Sequence, residues 1–218
     1  MSACLQPHPL TLDPPLRNRA IHRLADAEGA GPEPAVYYID DREAGGLLVN
    51  APPYSPAQFE ALAAVTPPRY LFLPSHLGAR DIAAWRDAGV QVIANGLEAA
   101  RIPGGVDIDL DRKTRLSRTI DFLPMAGRTP GSCALRLRNK PAVVFFGPIL
   151  EPGDDGWPTL VLHDDDASSE NRLFGVLGLQ DIRYEYAFTD RFDPATTQYG
   201  PGASDAIHTR LEAVVGTD

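Results

Sequence analysis

The chain has 218 residues, of which 44% are hydrophobic and 22% are charged, and its formal net charge is −9. This length and composition fit one globular domain with a buried core, and they exclude a chain that is disordered throughout. The acidic balance argues against a nucleic-acid partner, because proteins that bind the phosphate backbone usually carry a basic face.

We expect no targeting signal in the first residues of the given sequence. Residues 1–10 lack the charged start and continuous apolar run of a signal peptide, and no stretch reaches membrane-spanning length. The two cysteines, Cys4 and Cys133, do not suggest a disulfide framework. We therefore expect a soluble cytoplasmic protein without a membrane partner.

Two regions are predicted along the chain. Residues 1–34 are rich in proline and polar residues, which predicts an irregular N-terminal lead-in, and residues 35–218 are predicted to form a single domain. In chain order the pattern predicts strands at 36–39 and 47–49, a helix from Ser55, a strand at 70–73, a helix at 81–88, strands at 90–93, 119–123, 132–138, 142–146 and 159–162, a helix at 168–178, a strand at 184–188 and a helix at 204–215. Mixed sheets with helices outside them predict an α/β fold arranged as a four-layer αββα sandwich.

Four stretches resemble the metallo-β-lactamase superfamily, and they occur in its order. Residues 46–53 are similar to its early strand, and residues 70–76 are similar to the strand before its His-x-His-x-Asp-His loop. Residues 126–132, Ala-Gly-Arg-Thr-Pro-Gly-Ser, are similar to its Gly-His-Thr-Pro-Gly-Ser turn, and residues 143–150 to its strand that ends in Gly-Asp-x-Leu. The resemblance covers about residues 36–192 and implies a sandwich of the metallo-β-lactamase type.

The resemblance also implies which residues stand where the family holds a pair of divalent metals. Those positions are His76, Gly78, Arg80 and Asp81 on the first loop, Arg128 in the turn and Pro148 after the later strand. The family's last histidine falls near residues 189–191, Thr-Asp-Arg, where no histidine occurs and the corresponding residue stays open.

The residue types at these positions do not suit a metal. Zinc takes three or four nitrogen, sulfur or oxygen ligands at about 2.0–2.3 Å. Glycine and proline have no side-chain donor atom for a metal, and a cationic arginine repels a dication. Without a metal there is no activated water. We expect no bound zinc, iron or manganese, no cofactor and no hydrolysis by the family's zinc mechanism.

The leading interpretation is therefore a protein of this fold that has lost its metal ligands and serves as a non-catalytic binding or assembly module. Its expected partners are a small anionic ligand or another protein, and a homo-oligomer is also considered. One alternative is a hydrolase with a rearranged site that draws on His76, Asp81, His163 and Asp190 or Asp193. A further alternative is a metal-free enzyme that holds an anionic substrate with Arg80 and Arg128.

The candidate ligand-binding residues are His76, Arg80, Asp81 and Arg128. The arginines and Asp81 form either an anion-binding pocket or an ion-pair cluster that fills the former metal site. We expect Arg128 to pair with Asp81 or another carboxylate there, because an unpaired buried guanidinium is costly. We also expect the site to be largely closed, by Trp157 or the 74–80 loop, and Asp164–Asp166 to cap the following helix.

Overall fold

A computed structural model describes residues 4–111 and 114–215. In chain order its elements are β1 (Gln6–Pro9), β2 (Arg19–Ala25), β3 (Tyr37–Asp41), β4 (Gly45–Val49), α1 (Pro56–Ala63), β5 (Pro68–Phe72), α2 (Ile82–Asp87), β6 (Gln91–Ala94), α3 (Gly96–Ala99), β7 (Ile108–Asp109), β8 (Ile120–Pro124), β9 (Cys133–Leu137), β10 (Val143–Gly147), β11 (Glu151–Pro152), β12 (Pro158–Thr159), α4 (Ser169–Leu177), β13 (Tyr186–Thr189) and α5 (Ala203–Val215), with single 3-10 turns at His76–Gly78 and Gly178–Asp181. None of the helices in these ranges is long and apolar enough to cross a membrane.

Two mixed sheets lie face to face. The larger has the order β1-β2-β3-β4-β5-β6-β7, antiparallel as far as β4 and parallel beyond it. The smaller has the order β13-β10-β9-β8, in which β13 is parallel to β10. Phe72 of the larger sheet packs on Phe122 of the smaller, with ring centroids 4.9 Å apart. One apolar cluster therefore fills the space between the sheets.

Helices cover the two outer faces. Leu62 of α1 and Trp85 of α2 are fully buried in a cluster on the larger sheet. Val176 of α4 and Ile207 of α5 are buried in a third cluster, on the smaller sheet. The chain is thus the four-layer αββα sandwich that the sequence predicts, because each sheet buries one face against the other sheet and one against helices.

The segment before residue 35 differs from its prediction. It is not an irregular lead-in, since β1 and β2 extend the larger sheet by two antiparallel strands. Ile21 and Leu24 of β2 are 2% and 0% exposed and enter the clusters on opposite faces of that sheet. Pairing with β3 supplies hydrogen bonds and apolar neighbours that override the proline-rich composition.

Candidate functional site

The loops that resemble the family's metal-binding motifs converge on one cleft at an end of the sandwich. Its volume is about 180 Å³. Leu77 comes from the first loop, Arg128 from the Thr-Pro-Gly-Ser turn, Pro148 from the loop after β10 and Asp190 from the residue after β13. The remaining lining residues are Glu33, Pro34, Glu151 and Arg191. The loops that carry the resemblance are therefore neighbours in the structure.

On the first loop, His76 is bound to a buried glutamate that the sequence did not reveal. Nδ1 of His76 hydrogen-bonds Oε2 of Glu98, and the backbone N–H of His76 donates to the same oxygen at 2.9 Å. Glu98 is fully buried in α3, and its Oε1 accepts the backbone N–H of Gly131 at 2.6 Å. Burial alone would raise the pKa of Glu98, but the hydrogen bonds from His76, Gly131 and Thr129 together lower it. Glu98 thus ties the first loop to the turn.

Arg80 and Asp81 are exposed and are not among the residues that line the cleft. Asp81 precedes α2 in a left-handed conformation with φ of 50°, and its carboxylate accepts the backbone N–H of Tyr54 at 3.0 Å. The structure therefore brings Arg128 to the cleft wall and His76 beside it, while Arg80 and Asp81 lie outside. Arg128 does not pair with Asp81.

Arg128 pairs with two other carboxylates. Its Nη1 lies 3.0 Å from Asp165 and 3.4 Å from Asp166. Asp166 also accepts two hydrogen bonds, both 2.8 Å, from Nη1 of Arg172, whose side chain is completely buried. Nη2 of Arg172 donates to the backbone oxygen of Pro148 at 3.2 Å. Two ion pairs and a hydrogen bond therefore connect the turn, through Asp166 and Arg172 of α4, to the loop after β10.

These contacts correct the role expected for the aspartates before α4. The N-cap of that helix is Ser168, whose hydroxyl accepts the backbone N–H of Asn171 at 3.1 Å, so Asp164–Asp166 do not cap it. Asp166 instead forms ion pairs with Arg128 and Arg172, because it is buried next to both. Trp157 packs against the cluster beneath the smaller sheet and is not among the lining residues of the cleft.

A buried carboxyl group closes the other side of the cleft. Nδ2 of Asn50, the residue after β4, donates to Asp190 at 2.7 Å and to the backbone oxygen of Ala35 at 2.9 Å. The pKa of Asp190 is raised to about 7, chiefly by desolvation on burial and also by the charges of Glu151 and Glu33, against the lowering effect of the hydrogen bond from Asn50. Asp190 can therefore gain or lose a proton near neutral pH.

Glu151 contacts basic side chains. Its Oε2 lies 2.8 Å from Nη1 of Arg191, and its Oε1 hydrogen-bonds Nε2 of His163. Arg191 also pairs with Glu33 at 3.2 Å. Within the described ranges, the charged side chains that line the cleft other than Asp190 thus already have a partner of opposite charge.

The pair of divalent metals that this fold implies does not fit these residues. Among the described residues, no group of three or more histidine, cysteine, aspartate or glutamate side chains is arranged to hold a metal ion. A guanidinium stands at the turn-histidine position, and Gly78 and Pro148 offer no side-chain ligand atom. His76 and His163 are each engaged by a carboxylate.

Several solved structures that are similar to this chain are described as metallo-β-lactamases. A metallo-β-lactamase from Pontibacter korlensis superposes with a TM-score of 0.68 at 13% identity, covering 98% of this chain and 100% of that one. A Cronobacter sakazakii metallo-β-lactamase described by its HARLDQ motif has a TM-score of 0.64 at 12% identity, with 98% and 94% covered. A subclass B3 metallo-β-lactamase of Bradyrhizobium japonicum has a TM-score of 0.63 at 13% identity, again with 98% and 94% covered.

No protein-family model matches the sequence, and no curated protein matches it. At identities of 12–13% the structural likeness speaks for the arrangement of the backbone and not for activity. The likeness extends over nearly the whole of both chains, and it agrees with the two facing sheets and their outer helices. The chain has the metallo-β-lactamase fold.

Proposed function

We propose that this protein is a metal-independent, non-hydrolytic binding module built on the metallo-β-lactamase fold. The observation that carries the proposal is the ion-pair chain of Arg128, Asp166 and Arg172, which starts at the turn position where, by the sequence resemblance, the family has a metal-binding histidine. A bound metal joins several loops of a site through its ligands. Here protein groups join the same loops, because Arg172 contacts both Asp166 and the backbone oxygen of Pro148.

The electrostatics of the cleft support the same proposal. A dication in the cleft would meet the guanidinium groups of Arg128 and Arg191, which repel it. The carboxylates that would offset this repulsion, Asp166 and Glu151, are already paired with arginines. Freeing either carboxylate for a metal would leave a guanidinium without its partner.

The size of the cleft limits what it binds. About 180 Å³ is below the range of about 300–1,000 Å³ typical of sites for drug-sized molecules. We propose a small anion or an acidic side chain of a protein partner, bound by Arg128 in the cleft. Of the other candidate residues, His76 is on the adjoining first loop and is part of this proposal, whereas Arg80 and Asp81 lie outside the cleft.

Metal analysis tests this proposal. Untagged protein, expressed with added zinc and purified without chelator, is analysed by mass spectrometry of its metals and by thermal unfolding with and without EDTA. We expect far less than one metal per chain and no shift of the midpoint. About one metal per chain, removable with loss of stability, would overturn the proposal.

Asp190 favours a second candidate function, a metal-free hydrolase. A carboxyl group with a pKa of about 7 in a cleft wall suits general acid–base catalysis at neutral pH. A panel of lactam, thioester and phosphodiester substrates, assayed with chelator present, separates the two candidates. Hydrolysis that survives chelation and disappears in Asp190→Asn would support the hydrolase and refute the non-hydrolytic module.

A further inference from the structure

A second charged cavity lies at the opposite end of the sandwich from the cleft. Its volume is about 140 Å³, and its walls are formed by Arg17, Asn18, Arg19, Asp41, Arg42, Glu43, Thr119 and Asn139. It adjoins the start of β2 and the end of β3, whereas the cleft adjoins the residues that follow β4. Three of the eight lining residues are arginines, although the chain as a whole is acidic.

Arg19 is held rigidly in the wall of this cavity. Its side chain is 3% exposed, its Nε donates to Asp41 and its Nη2 donates to the hydroxyl of Thr119. The remaining nitrogen, Nη1, is buried and has no hydrogen-bond partner. A buried donor without a partner is costly, and most such groups in proteins are satisfied by a bound species or water. The unpaired nitrogen thus points to an acceptor that comes from outside the chain.

The other two arginines are free to join it. Arg17 and Arg42 are exposed, and within the described residues their side chains make no hydrogen bond or ion pair. The opposing carboxylates are Asp41 and Glu43. Asp41 is already occupied by Arg19 and by the backbone N–H groups of Glu43 and Ala44. The cavity therefore retains a net positive charge.

A larger cavity of about 590 Å³ adjoins this one, and Arg17 and Asn139 line both. Its walls contain four prolines, which offer apolar surface with little conformational freedom. The further lining residues are Asp13, Lys140 and Glu185. The carboxylates of Asp13 and Glu185 would repel an extended polyanion, so the two cavities together suit a molecule with one anionic end.

We propose that these adjoining cavities bind a phosphate monoester. Its phosphoryl group lies among Arg17, Arg19 and Arg42, and its organic part lies between the prolines of the larger cavity. Guanidinium forks match the geometry of phosphate oxygens and form charge-assisted hydrogen bonds with them. The site shares no lining residue with the cleft, so it stands independently of the function proposed there.

Calorimetric titration with inorganic phosphate and with phenyl phosphate, at fixed ionic strength, tests the proposal. We expect saturable binding of both, with phenyl phosphate the tighter. Arg42→Ala and Arg17→Ala should each weaken binding by about tenfold or more, because each removes a charge-assisted contact. Arg101→Ala, at an exposed arginine that lines neither cavity, should leave binding unchanged. Thermal unfolding checks that every variant is folded.

Three outcomes would overturn the proposal. One is that neither inorganic phosphate nor phenyl phosphate shows saturable binding. Another is equal weakening by Arg101→Ala and Arg42→Ala, which would mean non-specific attraction. The third is loss of binding in Arg128→Ala but not in Arg42→Ala, which would place the anion in the cleft. A further variant, Arg19→Lys, removes the unpaired nitrogen and should also weaken binding. If this variant does not fold, the variants at the exposed Arg17 and Arg42 still test the proposal.

Discussion

Gly78 packs so closely against Asn50 that a β-carbon on the glycine would lie 2.7 Å from Cγ of Asn50 and nearer still to its Oδ1. The Asn50 amide is itself fixed by its hydrogen bonds to Asp190 and to the backbone of Ala35. By the sequence resemblance, Gly78 corresponds to a histidine of the family's metal-binding loop. That position therefore has no room for any side chain while the Asn50–Asp190 hydrogen bond is in place.

Replacing Gly78 by alanine should therefore destabilise the fold. Overpacking of this kind costs about 1–3 kcal/mol, because either Asn50 or the first loop must move. Gly175→Ala is the matched control, since a β-carbon there meets ordinary contacts of 3.4 Å or more and lies in helix α4. The control should be neutral or stabilising by up to about 1 kcal/mol. Urea unfolding measures both, and equal midpoints would contradict the packing argument.

Arg172→Met should be among the most destabilising single changes at the cleft. It leaves Asp166 with the longer contact to Arg128 as its only ion pair, beside the backbone N–H of His163, and removes the donor to Pro148. Removing one member of a buried ion pair costs about 3–5 kcal/mol. Added zinc should not restore the lost stability.

The control for this change is Arg183→Met. Arg183 pairs with Asp205 on the surface, where the two side chains are 70% and 83% exposed. Such exposed pairs contribute little, so the control should unfold close to the wild-type midpoint. Similar losses in the two variants would show that the buried chain of arginines is not a special source of stability.

The raised pKa of Asp190 predicts a particular pH dependence. Its folded pKa of about 7 exceeds its ordinary value of 3.8, so the folded state binds the proton more tightly than the unfolded state. The stability from this group is complete below the ordinary value and is lost as pH rises toward 7, by about 1.4 kcal/mol per unit. The Asp190→Asn variant cannot ionise at this position. Its free energy of unfolding, relative to that of the wild type, should therefore rise between pH 5 and 7 when both are measured by guanidinium unfolding. Parallel pH curves for the two proteins would refute a raised pKa.

Glu98→Gln should loosen the connection between the first loop and the turn. A glutamine cannot accept the N–H groups of both His76 and Gly131 without turning its own NH₂ group toward one of them. We expect faster amide exchange at those two residues. The pKa of Glu98 is lowered in the folded protein, so its stabilising effect is present above the ordinary value and fades as pH falls toward the folded value. Exposed Glu60→Gln is the control, and unchanged exchange in Glu98→Gln would contradict its linking role.

The strands and turns that form the cleft could be predicted because each has a characteristic pattern in the local amino-acid sequence. The apolar run at 142–146 becomes β10 at Val143–Gly147, and the Ser55-Pro56 pair begins α1 with a serine N-cap. These patterns depend on neighbours within a few residues. Their order along the chain then indicated the fold.

The buried charged groups near the cleft could not be predicted in the same way. Glu98 contacts residues 22 and 33 positions away, and charged residues are rarely fully buried, so nothing local marks it. The sequence of α4 contains the apolar residues Leu173, Phe174, Val176 and Leu177. The buried residues of that helix are Arg172 and Val176, and Phe174 is 62% exposed. The apolar residues of the helix therefore give no sign that Arg172 is buried in an ion pair with Asp166.

Strand β1 also restricts how molecules of this protein associate. It forms one edge of the larger sheet, and the backbone N–H of Leu10, just beyond it, donates inward to Ile21 of β2. Since alternate residues of a strand point their N–H groups to opposite sides, Pro7 and Pro9 occupy the outward positions, where a proline has no hydrogen to give. An incoming strand would find no donors along this border between residues 6 and 10. This edge strand therefore resists edge-to-edge strand pairing that would lead to aggregates. Copies of the chain should associate through other surfaces.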